Sequence, residues 1–272
     1  MIRCGEWAVI TGCTSGIGRA ITFELAKDGL NIVLISQNQE QLMKLSEELE
    51  STYKIKTSII TVNFCKSDVY QEISKSLSKY KIACLINNVG ISYDHPDSFA
   101  ESQETSLQRN EALINCNNLS MAQMTRIVLE KMYKDGNDCP SGSRVILNFG
   151  SFSGSIVNPF LTTYSATKSF VETFTKSLAL EVRDKGIIVQ GVRPYFVATN
   201  MSKIKHTSLL VPSAQTYAKS CLNMLGVETF CAGYFFHELV FCVTNLIPEF
   251  ILGPFVAKQM LSVRAKSLKR RN

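Results

Sequence analysis

No stretch of this 272-residue chain reaches about 18 uninterrupted apolar residues, so no segment reads as a clean membrane-spanning helix. The opening residues Met1-Ile2-Arg3-Cys4-Gly5-Glu6 lack the apolar run of a secretory signal. The nine cysteines are scattered without a C-x-x-C pair. That argues for reduced thiols in a cytosol-facing compartment, and against a disulfide framework or any metal site. No repeat, low-complexity segment or Pro/Gly-rich linker divides the chain. With 45% apolar and 19% charged residues, it has a core to bury and too little charge for disorder.

Acids are missing from the end. Six of the 29 bases (Lys258, Arg264, Lys266, Lys269, Arg270 and Arg271) and none of the 23 acids follow Glu249. The body up to that point carries 23 charges of each sign, and the net +6 sits in the tail. A neutral body offers no basic groove, which excludes nucleic acid as a partner. Just ahead of the tail, Tyr234 to Leu252 holds 13 apolar residues in 19, interrupted by Glu238, Asn245, Pro248 and Glu249. This stretch reads either as a core or dimer-interface helix or as a segment on a bilayer surface, with the tail on anionic headgroups.

What is present is an alternation. Trp7-Ala8-Val9-Ile10, Asn31 to Ile35, Ser58 to Val62, Ala83 to Ile86, Arg144 to Asn148 and Ile187 to Val192 are short β-branched runs. Helical patterns separate them: Ile17 to Lys27, Gln39 to Tyr53, Val69 to Tyr80, a long region from Leu107 to Tyr133, and Thr163 to Asp184. Alternating strands and helices predict βαβ crossovers and a doubly wound parallel α/β sheet in one domain. The expected division is a dinucleotide-binding and catalytic core over residues 1–200. Residues 201–272 would form a substrate lid and membrane-proximal extension of the same domain.

Thr11-Gly12-Cys13-Thr14-Ser15-Gly16-Ile17-Gly18 joins the first strand to the first helix. Glycines there let backbone approach a pyrophosphate, whose charge the helix N-terminus then meets. The spacing G-x-x-x-G-x-G resembles the opening motif of the short-chain dehydrogenase/reductase family. Four further strings fit that family: Asn87-Asn88-Val89-Gly90, Asn117-Asn118-Leu119-Ser120, Ser151, and Tyr164-Ser165-Ala166-Thr167-Lys168. Ser151 stands 13 residues before Tyr164.

The chemistry of the central residues follows from their nature. Tyr164 and Lys168 are i and i+4 on a helix and share a face. A phenol is a poor acid–base at neutral pH, but a nearby ammonium and an oxidised nicotinamide favour the phenolate. Tyr164 then protonates a carbonyl oxygen as hydride reaches its carbon, while Ser151 orients that oxygen. Lys168 would also bond the nicotinamide ribose. The resemblance implies that Asn117 holds a water that resupplies the proton. It also implies a cofactor site built from Gly12, Ser15, Gly16, Ile17, Gly18, Gln37, Asn63, Asn88, Val89, Gly90, Pro194, Val197 and Thr199.

Pro194-Tyr195-Phe196-Val197-Ala198-Thr199 and the basic C-terminus resemble one branch of the family: the 17-beta-hydroxysteroid dehydrogenases and very-long-chain 3-oxoacyl-CoA reductases of the endoplasmic reticulum. Three features depart from that branch. Gln37 stands where the branch carries an Arg for the 2′-phosphate of NADP(H), Asn63 stands where an Asp meets the adenine, and an apolar N-terminal segment does not precede Trp7. Arg19 is expected to supply the missing charge, so NADP(H) is the expected cofactor, with NAD(H) not excluded. Phe160, Leu161, Tyr195 and Phe196 are expected at an apolar substrate mouth. The implied activity is reduction of a long-chain 3-oxoacyl-CoA or of a 17-ketosteroid; a catalytically weak dinucleotide-binding scaffold is the reading of another class. The implied location is the cytosolic face of the endoplasmic reticulum membrane, with the cytoplasm as alternative and a homodimer as the expected assembly.

Overall fold

Each β-branched run becomes a strand of one sheet in a computed structural model that describes residues 5–135 and 143–269. The strands are β1 (Trp7–Thr11), β2 (Asn31–Ser36), β3 (Thr57–Thr61), β4 (Ile82–Asn87), β5 (Arg144–Phe149), β6 (Ile187–Val192) and the short β7 (Phe230–Cys231). All pair parallel, in the order β3-β2-β1-β4-β5-β6-β7. Central strands of such a sheet are covered on both faces and so read as apolar runs rather than as alternations; every residue of β4 and β5 is buried. One face packs on α1 (Gly16–Lys27), α2 (Gln39–Tyr53) and α7 (Ala214–Asn223), and the other on α3 (Tyr70–Leu77) and α5 (Ser120–Lys134).

Strand order reverses between β1 and its neighbours β2 and β4, and ligands of open α/β sheets bind at such a switch point, outside the carboxyl ends of the strands. The turns after β1, β4, β5 and β6 therefore converge, and these are the turns that carry the motifs. The long helical region 107–133 is two helices, α4 (Leu107–Ile114) and α5, joined by a π-helical turn, Asn115–Leu119. Residue 200 is no boundary of the core, because Tyr217, Ala218, Cys221 and Cys231 are buried in the same cluster as β1.

The stretch Tyr234 to Leu252 is not one helix and is not core. It forms α8 (Phe235–Asn245) and the start of α9 (Glu249–Lys269), broken at Pro248, whose ring denies a helical bond and disfavours helix in the residue before it. His237 is the buried residue of α8 and Val256 that of α9. Leu246, Phe250 and Phe235 are 83%, 78% and 73% exposed. Among the described residues no helix is long and apolar enough to cross a membrane, no metal-holding cluster occurs, and the cysteines are free. Arg270 and Arg271 lie outside the described residues.

Candidate active site

Thr11, the last residue of β1, ties the switch point together. Its Oγ1 donates to Ile86 O at 3.2 Å and accepts from the N–H groups of Asn88 and Val89, both at 3.1 Å. The Asn88 amide donates back to Thr11 O and Gly12 O at 3.1 and 3.0 Å. This staple leaves no room for side chains: a Cβ at Gly18 would lie 2.3 Å from both Asn88 Nδ2 and Gly12 O. Gly12 and Gly16 have φ of +66° and +54°, a region that favours glycine. Ser15 at the N-cap of α1 makes no side-chain cap bond, and the first turn holds no acid. The N–H groups of Gly16, Ile17 and Gly18 thus lie in the first turn, where no intrahelical carbonyl meets them and Ser15 does not cap them, a cradle that fits a pyrophosphate.

The residues expected to meet the adenosine are less organised. Gln37 is exposed just past β2, while Ser36 Oγ meets Thr14 Oγ1 at 3.2 Å. The guanidinium of Arg19, expected to supply the missing charge, is paired at the surface with Glu48 of α2 at 2.6 Å and lies 4.5 Å over the Phe23 ring. Asn63 is exposed beyond β3, and its Oδ1 accepts from Cys65 N at 3.0 Å.

Ser151, Tyr164 and Lys168 come together where β5 meets α6 (Thr162–Glu181). Ser151 Oγ accepts from Ser153 N at 3.2 Å, opening a single turn over Phe152–Gly154. Gly154 lets that turn close against α6, since a Cβ there would lie 2.4 Å from the Lys168 carbonyl carbon. Lys168 Nζ donates to Phe149 O at 3.0 Å and stands 5.9 Å from the Tyr164 ring centre. Burial raises the Tyr164 pKa, and the hydrogen bond with Ser151 opposes it. Burial also lowers the Lys168 ammonium to about 8, with a smaller opposing effect of Cys116. Tyr164 is thus a phenol that holds its proton at neutral pH beside a hydroxyl and an ammonium, which suits it to give that proton to an oxygen gaining charge. Burial pushes the Cys13 and Cys116 thiols up to about 12, which leaves them inert as nucleophiles.

Asn117 sits buried in the π-helical turn, a feature common at functional sites. Its Oδ1 accepts from Ile91 N at 2.8 Å; its Nδ2 donates to Ile91 O at 3.0 Å and Thr167 Oγ1 at 2.9 Å. Gly90 separates the two groups, its would-be Cβ 3.3 Å from Asn117 Oδ1 and 3.4 Å from Lys168 Nζ. After β6, Pro194 O accepts from Phe152 N at 2.9 Å, Val197 is buried, and the Thr199 methyl approaches Gly16. Tyr195 packs edge-on against Phe152, ring centres 4.9 Å apart, and Phe196 is exposed beside it. Phe160, with φ of +67°, and Leu161 lead into α6.

Two residues outside the sequence-derived set matter here. Thr11 was visible only as a hydroxyl at a strand end before a glycine turn. His237 gave no signal; in the fold its Nδ1 accepts from Tyr195 N at 3.2 Å and its Nε2 meets Leu210 O at 3.2 Å.

A parallel doubly wound sheet with a glycine turn at its switch point and a Ser–Tyr–Lys group beside it defines an NAD(P)-dependent oxidoreductase. A family model described as short chain dehydrogenase matches residues 6–209, and the chain belongs to that family. It is 40% identical over 269 residues to the very-long-chain 3-oxoacyl-CoA reductase of Mus musculus, covering 99% of this chain and 84% of the relative. It is 42% identical over 267 residues to very-long-chain 3-oxoacyl-CoA reductase-B of Danio rerio, covering 98% and 84%. Among solved structures the fold is shared with a 7beta-hydroxysteroid dehydrogenase (TM-score 0.80, 20% identity, 93% of this chain and 97% of that one). It is shared as well with a short-chain dehydrogenase from Sphingobium yanoikuyae in complex with NADPH (TM-score 0.72, 22% identity, 83% and 86%).

Proposed function

We propose that this chain is an NADPH-dependent reductase of long-chain 3-oxoacyl-CoA. The observation that carries the reading is the 40% identity to a reductase of that name over 99% of the chain, with Tyr164 and Lys168 brought together beside Ser151. A bound nicotinamide dinucleotide supplies the hydride. Gly12, Ser15, Gly16, Ile17 and Gly18 would hold its pyrophosphate, and Gln37 and Asn63 would face its adenosine. Asn88, Val89, Gly90, Pro194, Val197 and Thr199 would flank the rest, with Lys168 on a ribose. Ser151 donates to the substrate carbonyl and fixes it toward Tyr164, which gives up its proton as the oxygen gains charge. The Lys168 ammonium stabilises the phenolate left behind, and Asn117 positions the water that restores the proton.

Residues 201–272 belong to the proposal as an extension of the same domain, in which Tyr217, Ala218, Cys221 and Cys231 complete the core and the remainder serves as substrate lid and membrane-proximal segment. The apolar side chains exposed on α8 and α9, next to exposed Lys258, Lys266 and Lys269, suit a surface seat on an anionic bilayer. We assign that seat to the cytosolic face of the endoplasmic reticulum. A homodimer through the exposed Phe170 and Leu180 of α6 is part of the same reading.

The test is oxidation of NADPH and NADH by the purified chain with a long-chain 3-oxoacyl-CoA and, in parallel, a 17-ketosteroid. NADPH turnover with the acyl-CoA is expected, and Tyr164→Phe should lower kcat at least about a hundredfold. Turnover with the steroid alone would overturn the substrate assignment. A wild-type rate in Tyr164→Phe would overturn the mechanism.

A further inference from the structure

Residues 91–105, between β4 and α4, have no long element of their own, yet they are held from every side. At one end the Asn117 amide pairs with both backbone groups of Ile91. Arg109 Nη2 donates to Ser92 O at 2.6 Å, and the Tyr93 hydroxyl accepts from Thr163 N at 3.1 Å, one residue before Tyr164. Lys203 Nζ donates to Asp94 O at 3.0 Å, which ties in the segment after Thr199. Asp97 N donates to Phe160 O at 2.9 Å, at the left-handed residue that leads into α6. The segment thus braces the start of the helix that carries Tyr164 and forms a wall beside it.

Asp97 fixes this wall. Its carboxylate is buried, accepts from Ser98 N at 2.9 Å and Ser102 Oγ at 2.7 Å, and has His95 Nε2 at 3.5 Å. Its remaining partner comes from the far end of the chain: Arg264 Nε of α9 donates to Oδ1 at 2.6 Å. Among the described residues this is the one polar side-chain link from α9 to the rest of the chain. A surface ion pair contributes little, but here one partner is buried and hydrogen-bonded by backbone and hydroxyl, so its geometry is set before Arg264 arrives.

We infer that Arg264 is a positioning residue for the substrate mouth: through Asp97 it holds residues 91–105 against the start of α6, so that α9 forms part of the mouth's support. Arg264 is therefore not free for a headgroup, unlike Lys258, Lys266 and Lys269. The choice of an acyl-CoA probe rests on the function proposed above; the geometry of the brace does not.

The experiment compares wild type, Arg264→Gln, Arg264→Lys and Asp97→Asn as full chains in two measurements. Amide hydrogen exchange needs no substrate. In Arg264→Gln the amides of Asp97, Ser98 and Thr163 should exchange about tenfold faster, with Arg264→Lys close to wild type and β4 and β5 unmoved. In steady-state kinetics the KM for a long-chain 3-oxoacyl-CoA should rise about tenfold in Arg264→Gln and Asp97→Asn, while the KM for NADPH moves less than twofold. Unchanged exchange at the three amides in Arg264→Gln overturns the proposal, as does faster exchange with no change in acyl-CoA KM. A general loss of protection across the sheet would mark Arg264 as merely structural and overturn it too. Should the wild type not turn over the acyl-CoA, the functional reading fails, and the exchange result alone decides the brace.

Discussion

The carboxyl ends of β1, β4 and β5 and the α8–α9 pair both come from strongly apolar sequence, and the fold uses them in opposite ways. At the strand ends apolar residues disappear into the sheet, and the polar ones around their tips are buried or half-buried and hydrogen-bonded. Thr11, Asn88 and Asn117 take part in seven hydrogen bonds with backbone groups, each 2.8 to 3.2 Å long. In α8 and α9 the apolar residues stay outside, and few of their neighbours are fixed by hydrogen bonds. A buried, bonded cluster cannot rearrange cheaply, which suits a site whose dipoles must already point the right way when charge develops. An exposed apolar face beside unpaired lysines suits contact with a surface that is itself apolar and anionic.

The largest expected effect tests the fixed end through its proton. Lys168 stays charged below about pH 8 and loses its proton above it. The reductive kcat/KM should therefore be flat near neutrality and fall roughly tenfold per unit above about pH 8, where the phenolate of Tyr164 loses its counter-charge. Unfolding is not the cause. Below about 8 the buried ammonium costs stability, because the unfolded chain, with its ordinary lysine, binds that proton more tightly. The cost is removed as pH rises from about 8 toward the ordinary value of 10.5. Above about 9 the buried Cys84 thiol, pushed up to about 12, acts the other way, as its unfolded form ionises first. Between 8 and 9, then, rate should fall while the melting temperature does not. A parallel fall of both would break the assignment to Lys168.

The exposed end is tested by charge. Leu246→Glu with Phe250→Glu places two acids on side chains that bury almost nothing, so folding and NADPH turnover in detergent should stay within about twofold of wild type. Co-sedimentation with vesicles containing anionic lipid should fall about tenfold, and more at low salt, where like-charge repulsion is least screened. Equal binding by variant and wild type would mean that the face meets something other than lipid.

The two ends also differ in how much the sequence disclosed. The chemistry of the strand ends is local: a glycine turn after one strand, a Tyr and Lys four apart, a Ser after another strand. Adjacent residues of known geometry carry the information for the sheet, its crossovers and the Tyr–Lys pair, while the resemblance to the family is what added Ser151 to that pair. The exposure of α8 and α9 could not be read from the chain, because apolar composition is the same whether a helix is covered or not, and only the packed fold shows Phe250 largely uncovered by the described residues. The bonds Asp97–Arg264 and Asn117–Ile91 were equally hidden, as they join residues 167 and 26 positions apart with no periodicity to announce them.

The smallest expected effect concerns the one part of the strand-end region that resembles the loose end of the molecule. Arg19, Glu48 and Gln37 lie beyond the glycine turn, exposed, where a 2′-phosphate would approach the end of β2. Arg19 and Glu48 are each nearly half exposed, so their 2.6 Å pair contributes little to stability, and removing it should shift melting by no more than a degree or two. The pair's consequence is for Arg19's availability: a guanidinium matched to a carboxylate is less free to turn to a phosphate, and its stacking over Phe23 fixes the same direction. Glu48→Gln should therefore lower the KM for NADPH about two- to threefold, leave that for NADH within error, and steepen the salt dependence of the NADPH value. Arg19→Gln should do the reverse by a similar factor. A ratio of the two cofactors' KM values that ignores both substitutions would place the 2′-phosphate out of reach of Arg19, and leave Gln37 with Ser36 and Thr14 as the groups that meet it.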